Sequence, residues 1–273
     1  MSSCDYYCGT REYSRCWLNP DFGGLFPFEL GEMILAYTVY FLSKRVVPVV
    51  FQEPLVRCLL YFTIFFVYTM AVVSHFRCCF SDPGAVPSSA TFLPTATEEE
   101  RMLYCTKCCA YKPPRAHHCS QCNRCIVRMD HHCPWVNNCI GYRNMKFFVL
   151  FLVYVVIMCF LTFALDCCKM YDTYLHITNE STSVIVGTMI TMSMSCMFVG
   201  FAGSMLKDAL ATIRSDTTAI DKLKGDSFSD KENGLNVYFG EGGKLTWRWF
   251  VPVMPRFDDV EAICGYCVQY CNV

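Results

Sequence analysis

The chain has 273 residues, of which 53% are hydrophobic and 17% charged, with a net charge of −1. Soluble domains carry about 25% charged residues, so the shortfall points to a bilayer, and the near-neutral balance offers no basic field for nucleic acid. The 21 cysteines leave two readings, a secreted disulfide framework or metal and thiol chemistry in a reducing compartment.

The elements follow in chain order. Residues 1–27 form a polar N-terminal tail carrying Cys4, Cys8 and Cys16. The tail lacks the basic-then-apolar layout of a signal peptide, which argues against secretion. A helix needs about 20 apolar residues to cross the hydrocarbon. The first span is expected at 28–51, although Lys44, Arg45 and Pro48 interrupt its apolar run. A short helix plus an interfacial segment is the alternative there. The second span is 55–79, with Arg57 at one end and His75 and Arg77 at the other, placed to snorkel. The third, 147–168, is the cleanest. The fourth, 184–206, carries Gly187, Ser193, Ser195, Gly200, Ala202 and Gly203, small residues suited to close helix packing.

Segment 80–146, between the second and third spans, holds eight Lys/Arg, whereas loop 169–183 holds only Lys169. The positive-inside rule therefore places 80–146 and both tails in the cytosol and 169–183 in the lumen or outside the cell. Asn179-Glu180-Ser181 in that loop fits the glycosylation pattern. The tail, 207–273, is of mixed charge, with glycines at 240, 242 and 243 and an aromatic patch at Trp247, Trp249 and Phe250. That patch suits either a membrane interface or a satellite packing cluster. No internal repeat and no low-complexity tract is expected.

The chemistry lies in CTKCCAYKPPRAHHCSQCNRCIVRMDHHCPWVNNCIGYRN, which begins at Cys105. Cys-x2-Cys pairs converge on tetrahedral zinc from a tight turn. Pro113, Pro114 and the absence of an apolar period indicate a loop-rich knuckle whose folding energy would come from metal. Six cysteines (Cys105, Cys108, Cys119, Cys122, Cys125 and Cys139) and two histidines make eight ligands, enough for two closed Cys3His sites. One cysteine and one histidine of Asp130-His131-His132-Cys133 are then left over. They have the form of a thiol nucleophile and its base, with a carboxylate to orient the imidazole. The sequence does not say which histidine is spare.

This segment resembles the cysteine-rich domain of the DHHC protein S-acyltransferases, or palmitoyltransferases. The likeness covers about 100–147 and includes Lys112, Pro113, Arg115, Trp135, Asn138, Gly141 and Asn144. Asp82-Pro83-Gly84 resembles the family's Asp-Pro-Gly motif. The family's Thr-Thr-x-Glu motif stands here as Thr217-Thr218-Ala219-Ile220, without the Glu, and Asn233 to Phe250 only loosely resembles its C-terminal aromatic and Asn motif. These departures bear on how the tail docks rather than on the chemistry.

The resemblance implies an all-α polytopic membrane protein with four transmembrane helices and a cytosolic, loop-rich, two-zinc domain between helices 2 and 3. It implies one structural zinc on Cys105, Cys108, His118 and Cys125 and another on Cys119, Cys122, His132 and Cys139. Asp130, His131 and Cys133 remain as the catalytic group, with Cys109 a bystander. The implied activity is transfer of an acyl group from acyl-CoA, through an autoacylated Cys133, to cysteines of membrane-associated proteins. Lys112, Arg115 and His117 are expected to face the CoA phosphates, and Trp135 to pack beside the thioester-proximal chain. Endomembrane and plasma membrane both fit. Cys78, Cys79, Cys264, Cys267 and Cys271 are candidate acylation positions, the last three also a candidate metal cluster, with packed free thiols the plainer reading. A zinc scaffold without enzymatic activity would not need Cys133. A thiol oxidoreductase would need a βαβ context that is missing here.

Overall fold

The computed structural model describes residues 22–176, 181–225 and 234–268. Cys4, Cys8, Cys16, Asn179, Glu180, Asn233 and Cys271 lie outside the described residues. Among the described residues, four helical runs are long and apolar enough to cross a bilayer: Gly23–Val50, Pro54–Phe80, Met145–Leu175 and Thr182–Ser215. The chain divides into two compact units, one of Met1–Phe28, His75–Phe148 and Ala209–Val273, the other of Glu29–Ser74 and Val149–Asp208.

The second unit is made of helix interiors. Helix α1 (Phe22–Phe41) passes through a π-turn, Leu42–Val46, into the short α2 (Val47–Val50). Pro48 explains the widened turn, since it has no N–H to give the preceding turn. Val47 N–H reaches back to the Leu42 carbonyl, and Tyr61 Oη of α3 (Pro54–Phe80) donates to the Ser43 carbonyl at 3.2 Å. Arg57 caps the end of α2, donating to the carbonyls of Phe51 and, at 3.2 Å, of Pro48. The interrupted first span is thus one helical run with a repaired defect. Val39, Phe41, Leu42, Val46, Val47, Ile64, Val67, Met158 and Leu165 form the apolar core of this unit.

Gly187 does what a small residue is expected to do. A Cβ there would lie 2.4 Å from the Phe41 ring. Gly200 and Gly203 do not: a Cβ on either meets nothing within 4 Å. Their side of the helix is open among the described residues. The third and fourth helices also outrun their apolar stretches. α5 (Met145–Leu175) continues through Lys169, whose Nζ pairs with Asp172 Oδ2 at 3.0 Å one turn on. α6 (Thr182–Ser215) likewise continues past 206. Much of the expected loop 169–183 is therefore helical, because an i,i+3 ion pair supports helix beyond the membrane span.

The first unit holds the cysteine-rich segment and the tail. Strand β1 (Ala90–Thr91) and helix α4 (Glu98–Arg101) lead into three antiparallel hairpins: β2 (Tyr104–Cys105) with β3 (Ala110–Tyr111), β4 (Ala116–Cys119) with β5 (Arg124–Val127), and β6 (His131–Cys133) with β7 (Asn138–Ile140). The tail supplies α7 (Ala219–Lys224), α8 (Gly234–Phe239), α9 (Val260–Cys264) and β8 (Cys267–Val268), and β8 pairs with β1. Lys146 Nζ, at the start of α5, donates to the Val253 carbonyl at 2.8 Å. The aromatic patch divides: Trp249 packs on Phe239 with ring centroids 5.1 Å apart, whereas Trp247 and Phe250 are exposed.

Candidate active site

The hairpins are anchored by side chains that replace missing sheet partners. Asn138 Nδ2 donates to the carbonyls of Cys78, Cys79 and Ser81 at 2.9–3.2 Å, closing the open C-terminal end of α3. Asn144 Oδ1 accepts from Gly141 N–H at 2.9 Å, and its Nδ2 donates to the Cys139 carbonyl at 2.8 Å. Asp82 Oδ1 accepts from the N–H groups of Gly84 and Ala85, and its Oδ2 pairs with Arg143 at 3.1 Å. Gly141 has to be glycine, since a Cβ would lie 2.4 Å from the Pro83 carbonyl oxygen.

Two sets of four ligand atoms converge: Cys105, Cys108, His118 and Cys125, and Cys119, Cys122, His132 and Cys139. In the first, His118 Nδ1 lies 3.2 Å from Cys108 Sγ and 3.7 Å from Cys105 Sγ. In the second, His132 Nδ1 lies 3.4 Å from Cys122 Sγ and 3.7 Å from both Cys119 and Cys139 Sγ. Tetrahedral zinc bonds of about 2.3 Å to sulfur and about 2.0 Å to nitrogen put neighbouring ligands roughly 3.5–3.8 Å apart. Both donor sets fit such an ion.

The two sets stand 14 residues apart, position for position (105 and 119, 108 and 122, 118 and 132, 125 and 139). The expectation of no internal repeat is therefore corrected. Beyond the ligands, His-His-Cys recurs at 117–119 and 131–133 and Asn at 123 and 137, while most of the intervening residues differ.

Asp130, His131 and Cys133 lie together at the third hairpin. Asp130 Oδ2 accepts from His131 Nδ1 at 2.8 Å. Its Oδ1 accepts from Ala219 N–H at 2.8 Å and from Thr212 Oγ1 at 3.2 Å. Burial pushes the Asp130 carboxyl up, but the bonds from His131 and Ala219 outweigh it and leave it below the ordinary carboxylate range. Burial also opposes charge on His131. The bond to Asp130 and the influence of Cys133 prevail and hold the imidazole up at about 9. His131 Nε2 is buried without a hydrogen bond of normal length, so its link to the thiol is looser than its link to the carboxylate. The ring meets Phe148 edge-on, 5.5 Å between centroids. Cys133 itself is buried. Its loop is held from α3 by His75, whose Nε2 lies 2.9 Å from the Trp135 carbonyl oxygen.

The expected CoA contacts fall in different surroundings. Arg115 is spanned by the tail: Nη1 pairs with Asp216 Oδ2 and Nη2 with Asp221 Oδ2, each at 2.8 Å. Arg128 also pairs with Asp216. His117 Nε2 lies 3.5 Å from Asp221 Oδ1, and its Nδ1 3.2 Å from Lys224 Nζ. Lys112 and Trp135 are half-buried. Burial pushes the Asp221 carboxyl up, but bonds from His117, Arg115 and Thr218 N–H hold it well below the usual range.

The tail docks without the motif Glu. Thr218 and Asp221 form a reciprocal capping box on α7, and Ile220 packs on the cluster of Cys119, Cys122, Ile126, Met129 and Cys139. Thr212, Asp216 and Asp221 were missed as site residues. Asp221 alone had a signal, the Thr218-x-x-Asp221 spacing of a helix start.

Residues 98–226 match the family described as DHHC palmitoyltransferase. Palmitoyltransferase ZDHHC3-A of Danio rerio is 34% identical over 207 residues, 67% of this chain and 62% of the relative. Palmitoyltransferase ZDHHC7 of Mus musculus is 36% identical over 199 residues, 65% of this chain and 62% of the relative. The chain thus spans under two thirds of the length of these two. Probable protein S-acyltransferase 12 of Arabidopsis thaliana is 28% identical over 282 residues, 88% of this chain and 94% of the relative.

Proposed function

From the match of residues 98–226 to the DHHC palmitoyltransferase family, we propose that this chain belongs to that family and is a protein S-acyltransferase. It carries a long-chain acyl group from acyl-CoA, through a Cys133 thioester, to cysteines of membrane-associated proteins. The observation that carries this reading is the 2.8 Å Asp130–His131 pair next to Cys133, in a hairpin that itself supplies His132 and Cys139 to the second of two complete four-ligand clusters.

In the first step the proton shared by Cys133 and His131 rests on His131 Nε2, as the imidazole's rise to about 9 favours, and the thiolate attacks the thioester carbonyl. The carbon–sulfur bond to CoA breaks, and His131 returns the proton to the CoA thiolate. In the second step the acceptor thiol gives its proton to His131 and attacks the Cys133 thioester, and Cys133 leaves and is reprotonated. One thioester replaces another at each step, so the exchange is near balance and needs no ATP. Asp130 holds Nδ1 protonated, leaving Nε2 to act as base, and steadies the imidazolium that forms. Zinc in the two clusters supplies folding energy and no step of the transfer.

Lys112, Arg115 and His117 would hold the CoA phosphates, with exposed Lys224 beside His117 adding charge. Because Arg115 and His117 already lean on Asp216 and Asp221, the docked tail helps shape this face. The eight Lys/Arg of 80–146 support a cytosolic site, where acyl-CoA is available.

The test is incubation of protein in lipid nanodiscs with labelled acyl-CoA of several chain lengths. A hydroxylamine-sensitive label on Cys133 and onward transfer to a cysteine-bearing membrane protein are expected. Cys133→Ser should abolish both while keeping two metals per chain. Transfer that survives C133S would sink the proposal.

A further inference from the structure

The 14-residue offset does not stop at the second metal cluster. Three hairpins share one register: Cys105 faces Ala110, Cys119 faces Arg124 and Cys133 faces Asn138. The pairs one step outward, Tyr104–Tyr111, His118–Cys125 and His132–Cys139, keep the same offset. So do the left-handed turn residues Cys109, Asn123 and Asn137, with φ of 52°, 51° and 47°. Left-handed backbone at non-glycine residues is uncommon, so its recurrence at this interval marks one turn design used three times. Cys133 accordingly stands where Cys105 and Cys119 stand as first thiolates of their knuckles.

The other three ligand places of the third copy are blank. The second thiolate, Cys108 then Cys122, becomes Val136, which is fully buried. The histidine becomes Lys146, whose Nζ is committed to the Val253 carbonyl. The last cysteine becomes Val153. In the two complete knuckles the N–H of Cys108 and of Cys122 points at the first sulfur at 3.4 and 3.3 Å. In the third, the turn closes instead as a 3-10 helix, Pro134–Val136, with Asn137 N–H on the Pro134 carbonyl at 3.2 Å.

We propose that the catalytic hairpin is a third metal knuckle reduced to a single ligand, and that Val136, in the place of the second thiolate, is the residue that withholds metal from Cys133. The inference rests on the reading of Cys133 as nucleophile. A thiolate bound to zinc is tied up in coordination. A chain with two zinc clusters nearby needs its reactive thiol in a place that chelates nothing. Val136 is a positioning residue here: it acts through what it denies Cys133.

The experiment restores the missing ligand in the full chain in nanodiscs. Val136→Cys should bind one divalent soft cation between residues 133 and 136, releasing two thiol protons. With cadmium as the probe, bound metal should rise from two to three per chain. Alkylation of Cys133 by iodoacetamide, mapped by peptide mass spectrometry, should slow at least tenfold in a chelator-reversible way. Trp135→Cys and Asn137→Cys, one place out of register, should show neither effect, and Cys133→Ser/Val136→Cys should return to two metals. Val136→His is the second variant should V136C lose its native metals. A count of two with undiminished alkylation in V136C overturns the proposal. So does equal protection in W135C or N137C, or loss of the native metals in both V136C and V136H. None of these readouts uses acyl transfer, so transfer surviving in C133S would sink the enzymatic reading and leave the knuckle register standing.

Discussion

Replacing Asp216 by Ala should undock the start of the tail without releasing the metals. The Asp216 side chain is 6% exposed and pairs with both Arg115 and Arg128. Removing one partner of a buried ion pair costs about 3–5 kcal/mol, because the charge left behind is poorly solvated. Two features put this case at the lower end. Arg115 keeps Asp221 Oδ2 at 2.8 Å, and among the described residues Arg128 keeps only the Ile263 carbonyl at 3.4 Å, so one guanidinium is stranded rather than two. A loss of about 3 kcal/mol raises the population of the opened tail about 150-fold. Hydrogen exchange in nanodiscs reads this directly: amides of 212–224 should exchange faster by that order, while 104–127 stays protected. Acylation should fall by about tenfold or more, because Ala219 N–H and Thr212 Oγ1 no longer hold Asp130. Unchanged exchange at 212–224 would refute the reasoning. Loss of metal together with the tail would refute the claim that the hairpins stand on their own ligands.

Other outcomes follow from the same geometry. His131→Ala should slow acyl-enzyme formation by about 10²–10⁴ while metal analysis still finds two ions per chain, and loss of one ion would mean that the roles of His131 and His132 are reversed. Removing metal with a strong chelator should abolish exchange protection across 104–140 before the membrane helices change, since structural zinc contributes about 10–16 kcal/mol to small knuckles. Asp221 sets the pH range of docking. Its folded pKa lies below the unfolded value of about 3.9, so its contribution is fully present above that value and is lost only as pH falls through the depressed one. Asp221's own share of docking, read as the difference in tail exchange between wild type and Asp221→Asn at each pH, should therefore be flat from about pH 8 to pH 5, and a change in that difference within the range would contradict the assignment.

The sequence carried those features whose physics demands local spacing or length. Metal ligands must converge, so Cys105, Cys108, Cys119 and Cys122 announce themselves as Cys-x2-Cys. Membrane helices must span the hydrocarbon, so the four apolar runs were plain even where Lys44 and Arg45 interrupt one. What stayed hidden depends on partners far along the chain or on backbone shape. Arg115 and His117 read as a basic loop. Their carboxylates lie about a hundred residues away in the tail, Asp221 standing 106 residues beyond Arg115. The turn shared by Cys109, Asn123 and Asn137 is a backbone property: asparagine favours left-handed backbone, but the cysteine in the same place of the first hairpin does not advertise it. Gly200 and Gly203 misled for the opposite reason: small residues permit close packing, but only a facing neighbour makes use of it.

The link between tail and chemistry runs through one carboxylate. Asp130 spends one oxygen on His131 and the other on Ala219 and Thr212. A carboxylate fixed at both oxygens cannot rotate, so the imidazole it holds keeps one tautomer and one direction. The missing motif Glu matters less than its position suggests, because neither contact to Asp130 needs a side chain at 220. Ala219 contributes a backbone N–H that any residue but proline supplies, and the capping box that presents it is closed by Asp221 rather than by residue 220. Ile220 instead packs on the cluster that contains Cys119, Cys122 and Cys139, where an apolar side chain would shield a bound metal from water. Ile220→Glu would place a carboxylate against thiolates that already carry net negative charge once metal is bound. That substitution should weaken metal retention at Cys119, Cys122, His132 and Cys139, and selective loss from this cluster, with the Cys105 cluster intact, is the result a metal-resolved mass measurement should give.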